Sequence, residues 1–261
     1  MPKPFLFEFE DQSWFPDVIR AGMTDFLRFI FTTGNLYQPV IPLLVGALQQ
    51  ANASRIIDLC SGGGGPIEQV SLLLSKQGIH IPIIVTDKFP NKAAYQLLYS
   101  RSNGIINYVP EPVDAMHVPG HIKGFRTIFS GFHHFSSNSA AAILNDAVAA
   151  KEGIAIFDGG DKSLWFILAI LLLQPIGFFL LTPFIKPFRW SRILFTYLLP
   201  FIPFCTIWDG IVSTIRLHTV KGLMSIAAAT NSTHYHWKAG RLKNRMGMHI
   251  AYLIGYPLVK A

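Results

Sequence analysis

The stretch "DLCSGGGGP", residues 58–66, sets four consecutive glycines directly after the apolar run "RIIDLC" (55–60). Glycine is an entropically costly choice in any ordered turn. Four together imply that something approaches the backbone closely, or that the chain turns through left-handed conformations. "RIIDLC" is a short β-branched run and predicts a strand. "PIEQVSLLLSKQG" (66–78) predicts a helix, with Pro66 in its first turn and Gly78 as its stop. The glycines thus join a strand to a helix, where backbone N–H groups can meet a ligand. A phosphate-binding P-loop needs a Lys-Ser or Lys-Thr pair after its last glycine, and none follows. A dinucleotide loop needs G-x-G-x-x-G. Counting from Gly62 or Gly63, its third glycine falls on Ile67 or Glu68. A nucleoside without a diphosphate and a plain turn remain open.

Reading outward, strand and helix alternate at short intervals. "IPIIVTD" (81–87), "INYVPEPVDAM" (106–116), "FRTIFSGFHHF" (125–135) and "IAIFDGG" (154–160) predict strands and their loops. "KAAYQLLYSRSNG" and "SAAAILNDAVAAKEG" predict helices between them. This is the pattern of βαβ units around a parallel sheet, with ligands expected at the C-terminal strand edge. The last segments, "YHWKAGRLKN" and "HIAYLIGYPL", predict a β-hairpin. The expected fold is α/β: a Rossmann-like sheet, mostly parallel with a C-terminal hairpin, helices on both faces, and a helical apolar insertion. Expected bounds are 1–50 for an N-terminal helical lid, 51–163 and 209–261 for the sheet domain, and 164–208 for the insertion.

Composition narrows the setting. Of 261 residues, 51% are hydrophobic and only 14% charged, lean for a soluble enzyme, so a lipid-facing part is expected. The net charge of +7 suits an anionic membrane surface or nucleic acid. Two cysteines, Cys60 and Cys205, define no disulfide framework or metal set and suit a reducing cytosol. The opening residues lack a signal-peptide pattern. The expected location is cytoplasmic, at the inner face of the membrane.

Asp58-x-Cys60-x-Gly62-x-Gly64 resembles the D/E-x-G-x-G-x-G motif of class I S-adenosylmethionine-dependent methyltransferases, with Cys60 standing at the first glycine. The resemblance extends in element order over roughly 50–160 and 219–258. It implies S-adenosyl-L-methionine as cofactor. It implies that Asp87 takes the ribose hydroxyls, because a carboxylate accepts from both. It implies that Asp114, or the backbone beside it, reads the adenine. "FSGFHHF" is similar to the family's apolar-His-His-apolar stretch, where the chain passes the cofactor and faces the substrate. The cofactor residues expected are Asp58, Cys60, Ser61, Gly62, Gly64, Asp87, Lys88, Asp114, Ala115, Ser130 and Gly131.

The catalytic candidates are His133, His134 and Asp209. If the fourth strand runs on through the histidines, they point to opposite faces and at most one meets the substrate. A neutral imidazole there could take a proton from a hydroxyl or amine; a structural cap is the alternative. Asp209 and Arg216 stand at an apolar boundary, where they either orient an acceptor or pair with each other. His234 and His236 share a strand face but have no third ligand, so no metal is expected.

The insertion holds "LWFILAILLLQPIGFFLL" (164–181), without a charge, then the basic connector "KPFRWSR" (186–192), then "ILFTYLLPFIPFCTIW" (193–208). Two full spans would place Lys186, Arg189 and Arg192 outside, against the positive-inside tendency. An interfacial pair with helices broken at Pro175, Pro200 and Pro203 avoids that conflict and sets the basic residues at lipid phosphates. A soluble lid or dimer interface is the other reading. The expected function is methyl transfer to an apolar or lipid-linked small-molecule acceptor at the membrane surface. The alternatives are an inactive S-adenosylmethionine-binding assembly protein, or a soluble small-molecule methyltransferase using 164–208 as lid or dimer interface. Nucleic acid is disfavoured as partner, because "SGFHHF" stands where base-modifying members carry Asn/Asp-Pro-Pro-aromatic. The oligomeric state is left open.

Overall fold

The computed structural model describes residues 6–258. The ends of the outer expected bounds, 1–5 and 259–261, lie outside the described residues, as does the start of the segment read for a signal peptide. Seven strands form one sheet: β1 (Ile56–Leu59), β2 (Ile83–Val85), β3 (Ile106–Tyr108), β4 (Phe125–Phe129), β5 (Ile154–Gly159), β6 (Tyr235–Lys243) and β7 (His249–Pro257). Their order is β3-β2-β1-β4-β5-β7-β6. The first five pair in parallel; β7 pairs antiparallel with both β5 and β6. The sheet is the mixed, hairpin-ended one the sequence predicts.

Side-chain alternation along the strands builds two cores. On one face Ile56, Ile83, Phe125 and Phe157 pack with α2 (Ile41–Gln50), α3 (Ile67–Ser75) and α4 (Lys92–Arg101) through Leu44, Val70, Leu74, Tyr95 and Leu98. On the other, Ile57, Ile128, Ile156 and Leu253 pack with α5 (Ser137–Ala150) and α9 (Val220–Ala228) through Ile143, Leu144, Leu223 and Ile226. Helix starts are capped by local oxygens: Asn91 for α4, Ser136 for α5 and Thr219 for α9.

A third, smaller core caps the C-terminal strand edge. Helix α1 (Asp17–Thr33) packs with α6 (Leu164–Leu181) and α8 (Phe201–Arg216) through Ile19, Met23, Phe26, Phe178 and Ile202. The rings of Phe26 and Phe178 stack at 3.6 Å between centroids. Helix α6 runs unbroken through Pro175, contrary to the expected break. An interior proline costs one backbone bond, about 3 kcal/mol. The Ser163 cap and the Phe178 anchor act on either side of it. The second apolar run does break. The short α7 (Trp190–Ile193) passes into a π-turn at Leu194–Leu198, and the chain bends by 77° before α8. Pro203 sits in the first turn of α8, where no backbone N–H is needed. Helix α8 passes through position 208 without interruption.

Candidate active site

The turn after β1 is shaped by its backbone before any ligand is considered. Gly62, Gly64 and Gly65 have φ of +54°, +99° and +42°. Cys60, at the position of the motif's first glycine, also has a positive φ of 55°. The left-handed conformation costs a non-glycine residue roughly 1–2 kcal/mol. Ser130, at the end of the neighbouring β4, has φ of 49°. Two strained residues thus stand side by side at the sheet edge, a placement typical of functional sites.

Packing accounts for half of the quartet. A Cβ at Gly63 would lie 2.7 Å from the backbone oxygen of Thr24 in α1, and one at Gly64 would lie 2.2 Å from Leu98 Cδ1. A Cβ at Gly65 would meet open space. The close approach the glycines permit is therefore, at two positions, that of the chain's own helices. Gly63→Ala is expected to lower unfolding stability by about 2 kcal/mol, because the obstacle is backbone. A chemical denaturation midpoint equal to wild type would show that α1 lifts away freely.

Beneath the turn, Asp58 is buried and its carboxylate accepts from Ser61 Oγ and Thr127 Oγ1, both at 2.6 Å. Burial raises its pKa from 3.8 to about 7, against those two hydroxyls. A carboxyl with a higher pKa folded than unfolded binds more protons in the folded state. Its contribution to stability is full below about pH 4 and is lost as the pH rises toward about 7. Asp58→Asn should remove that slope. Unfolding curves of the two proteins at pH 5 and pH 8 check it: wild type should lose stability relative to the variant, and parallel curves would refute the burial account.

Asp87 follows β2 and faces the turn. Its Oδ2 accepts from Gly62 N at 2.7 Å and its Oδ1 from Phe89 N at 2.7 Å. Each oxygen keeps a second lone-pair site for a ligand. A cavity of about 520 Å³ opens here, lined on this side by Cys60, Ser61, Gly62, Asp87, Lys88, Phe89, Met116, Ser130 and Gly131. Arg20 of α1 reaches over Phe89, 4.0 Å from the ring centre. Tyr37 hydrogen-bonds the Ser130 hydroxyl and accepts from Gly159 N.

The cavity continues between α1, α6 and α8 to an acid–histidine cluster. His133 and His134 lie in a 3-10 turn, Phe132–His134, not in an extended strand. The strand expectation is thereby corrected: β4 ends at Phe129, and the turn brings both rings to the cavity, 4.5 Å apart. Nδ1 of His134 lies 3.0 Å from both Glu8 Oε2 and Asp11 Oδ1. Nδ1 of His133 lies 3.3 Å from Asp158 Oδ1. Asp209 and Arg216 do not pair with each other. Asp209 accepts from the backbone of Phe9 and Glu10, while Arg216 pairs with Glu8 at 2.9 Å and Asp11 at 3.4 Å. Burial pushes the Asp209 carboxyl up to about 7 and that of Glu10 up to about 8. Burial disfavours the His134 imidazolium, but Asp11 and Glu8 outweigh it and raise its pKa well above the ordinary value.

Four residues expected at the cofactor are absent from the cavity wall. Asp58 and Gly64 lie behind it, for the reasons given. Asp114 turns its Oδ1 to Met116 N at 2.9 Å and caps its own loop. Ala115 is buried in the second core, leaving Met116 as the wall residue. Sequence reasoning missed Glu8, Glu10, Asp11, Arg20, Phe89, Met116 and Asp158. The N-terminal acids carry no periodic signal, and the fold alone brings them to residues more than 120 positions away.

Comparison of the sequence with family models and with curated proteins finds no match. Solved structures do match. The pyocyanin biosynthetic protein PhzM aligns with a TM-score of 0.50 at 11% identity over 86% of this chain, which spans 56% of the length of PhzM. The plantazolicin methyltransferase BpumL, solved with SAH, gives 0.49 at 13% identity over 91% of this chain and 95% of its own. The methyltransferase domain of bacterial CtHen1 gives 0.49 at 13% over 86% and 100%. At such identity the likeness speaks for the fold. With the strand order, the reversed β7 and a cavity at the C-terminal edge, this chain has the class I S-adenosylmethionine-dependent methyltransferase fold.

Proposed function

We propose that the chain transfers the methyl group of S-adenosylmethionine to an apolar or lipid-linked small molecule at the cytoplasmic membrane surface. One observation carries this reading: a single cavity runs from Asp87 and the glycine turn to the inner faces of α6 and α8. The donor end fits a nucleoside. Asp87 retains acceptor sites, Phe89 and Met116 are apolar walls, and Gly65 leaves bare backbone beside open space. When bound, the cofactor supplies an electrophilic methyl group. The protein's part is to hold the donor on Asp87, to exclude water with α1, and to present the acceptor from the α6–α8 side. Positioning of that kind is worth several kcal/mol. The acceptor end is lined by Phe166, Ile170, Thr206, Gly210 and Leu217, which suits an apolar body.

The membrane part rests on the outer face of the same helices. Leu164–Phe184 is long and apolar enough to cross a bilayer, and little of it is fully buried. Yet Phe166, Ile170 and Gln174 line the cavity and Phe178 is held by Phe26, so one face of α6 lies along the protein. That favours docking over spanning. Trp165, Leu172, Phe184, Trp190 and Leu198 are each at least 65% exposed, a patch far beyond scattered surface hydrophobes. Of the basic connector only Lys186 is exposed beside it for lipid phosphates; Arg189 and Arg192 turn inward to Asp25, against the expectation that all three meet lipid. Trp165→Glu with Leu172→Glu should shift the protein from floating with anionic vesicles to the soluble fraction. Both side chains are outside every core, so folding is preserved. Flotation unchanged by the double variant would refute docking through this face.

The reaction is tested by mass spectrometry of lipid and small-molecule extracts after incubation with purified protein and S-adenosylmethionine. A species heavier by one methylene, dependent on the protein, is expected. No such species, with cofactor bound, would reduce the chain to a binding protein.

A further inference from the structure

Where the N-terminal segment crosses the histidine turn, three potential ligands converge: Glu8, His133 and His134 offer atoms all within 4.8 Å of one another. We propose that these residues, flanked by Asp11, bind a divalent transition-metal cation in the wall of the cavity. His133 and His134 are singled out by the sequence, but not as ligands, because Glu8 comes from an unpatterned N-terminal segment and the histidines stand in a stretch predicted as strand.

The distances fit a coordination shell. Nδ1 of His134 is 3.0 Å from Glu8 Oε2 and 3.0 Å from Asp11 Oδ1. Adjacent ligands of an octahedral cation at about 2.1 Å lie about 3 Å apart, √2 times the bond length. Yet this buried Nδ1, though close to both oxygens, forms no well-aligned hydrogen bond with either. His133 is 4% exposed, so its ring is held away from bulk water beside the same carboxylates. Buried polar atoms are nearly always satisfied, and an ion would supply the partner that Nδ1 of His134 lacks.

The surroundings are those of supported ligands. Arg216 takes Glu8 Oε1 and Asp11 Oδ2, which turns the other oxygen of each carboxylate toward His134. Ser213 Oγ donates to Glu8 Oε2 at 3.0 Å. Asp158 stands 3.3 Å behind Nδ1 of His133, leaving Nε2 as that ring's free nitrogen; a carboxylate behind a ligating imidazole is a common outer-shell device. Charge argues the same way. Glu8, Asp11 and Asp158 face the two imidazoles, and Arg216 is the one guanidinium paired with these carboxylates among the described residues. Two imidazoles and a carboxylate suit zinc, manganese or iron better than magnesium or calcium. Resting on the methyl-transfer reading, an ion held here would stand in the cavity wall with His133 and His134 and could take an oxygen-bearing group of the acceptor.

The test uses the intact chain, stripped with chelator and titrated with Mn²⁺ in the absence of S-adenosylmethionine, so it stands apart from the cofactor question. One tightly bound Mn²⁺ per chain is expected, with an electron spin-echo signal showing modulation from two imidazole nitrogens. His133→Asn and Glu8→Gln should each weaken binding by about 100-fold. The wild-type spectrum needs no variant to fold. Absence of bound Mn²⁺ in folded protein, or bound Mn²⁺ without nitrogen modulation, overturns the site.

Discussion

Asp87→Ala is expected to weaken binding of S-adenosylmethionine and its demethylated product by at least about 100-fold. Two hydrogen bonds to a charged acceptor contribute about 1.5–3 kcal/mol each, and 1.4 kcal/mol is a factor of ten. The variant also leaves Gly62 N and Phe89 N without their acceptor, so the turn and the segment after β2 lose their common clamp. Both effects act in the same direction. Asp87→Asn should fall between, since its amide keeps one acceptor oxygen but turns donors toward a backbone N–H. Titration calorimetry of the folded variants measures this directly. A change below about threefold would remove Asp87 from the donor site.

The largest effect on stability is expected at Arg192. Its side chain is 1% exposed and donates to Asp25 Oδ2 at 2.5 Å and to the carbonyls of Ile185 and Pro187 at 2.6 Å. Asp25 is fully buried in α1 and also takes Asn91 Nδ2 at 3.1 Å. Arg192→Met leaves that buried carboxylate only Asn91 and the more distant Arg189 and strands both carbonyls, and should cost about 3 kcal/mol or more. Asp25→Leu added to Arg192→Met should recover part of the loss, because replacing both members of a buried pair is far milder than breaking it. Denaturant midpoints of the two variants decide it. If the double variant is no more stable than the single, the ion pair is not the reason. The same contact warns against deleting 164–208 as a test of membrane binding: Asp25 would lose Arg192 and Arg189 together.

How much of this was legible beforehand follows from where the information sits. β-branched runs between helical periods announced the sheet, because strand and helix patterns are local. The glycine turn and Asp87 were legible for the same reason: each is fixed by its own strand end. The histidine turn was not. A strand reading sent His133 and His134 apart, and only the ending of β4 at Phe129 brings them together. Nor were Glu8, Glu10 and Asp11 legible, since acids without period look like any solvated segment. Pro175 misled in the opposite direction. Propensity counts its missing bond, while the stack of Phe178 on Phe26 is a tertiary contact that sequence does not print.

The contact of Gly63 with the backbone of Thr24 has a consequence for chimeras. An α1 taken from another protein of this fold brings its own helix position, and the turn beneath accepts only a helix that approaches to that depth. Thr24 and Asp25 are neighbours in α1: one touches the glycines, the other holds Arg192 of the apolar insertion. Grafting 164–208 alone leaves Asp25 unmatched, and grafting α1 alone leaves Gly63 facing a gap or a clash. The exchangeable unit is α1, the glycine quartet and the insertion together, though they are scattered along the chain.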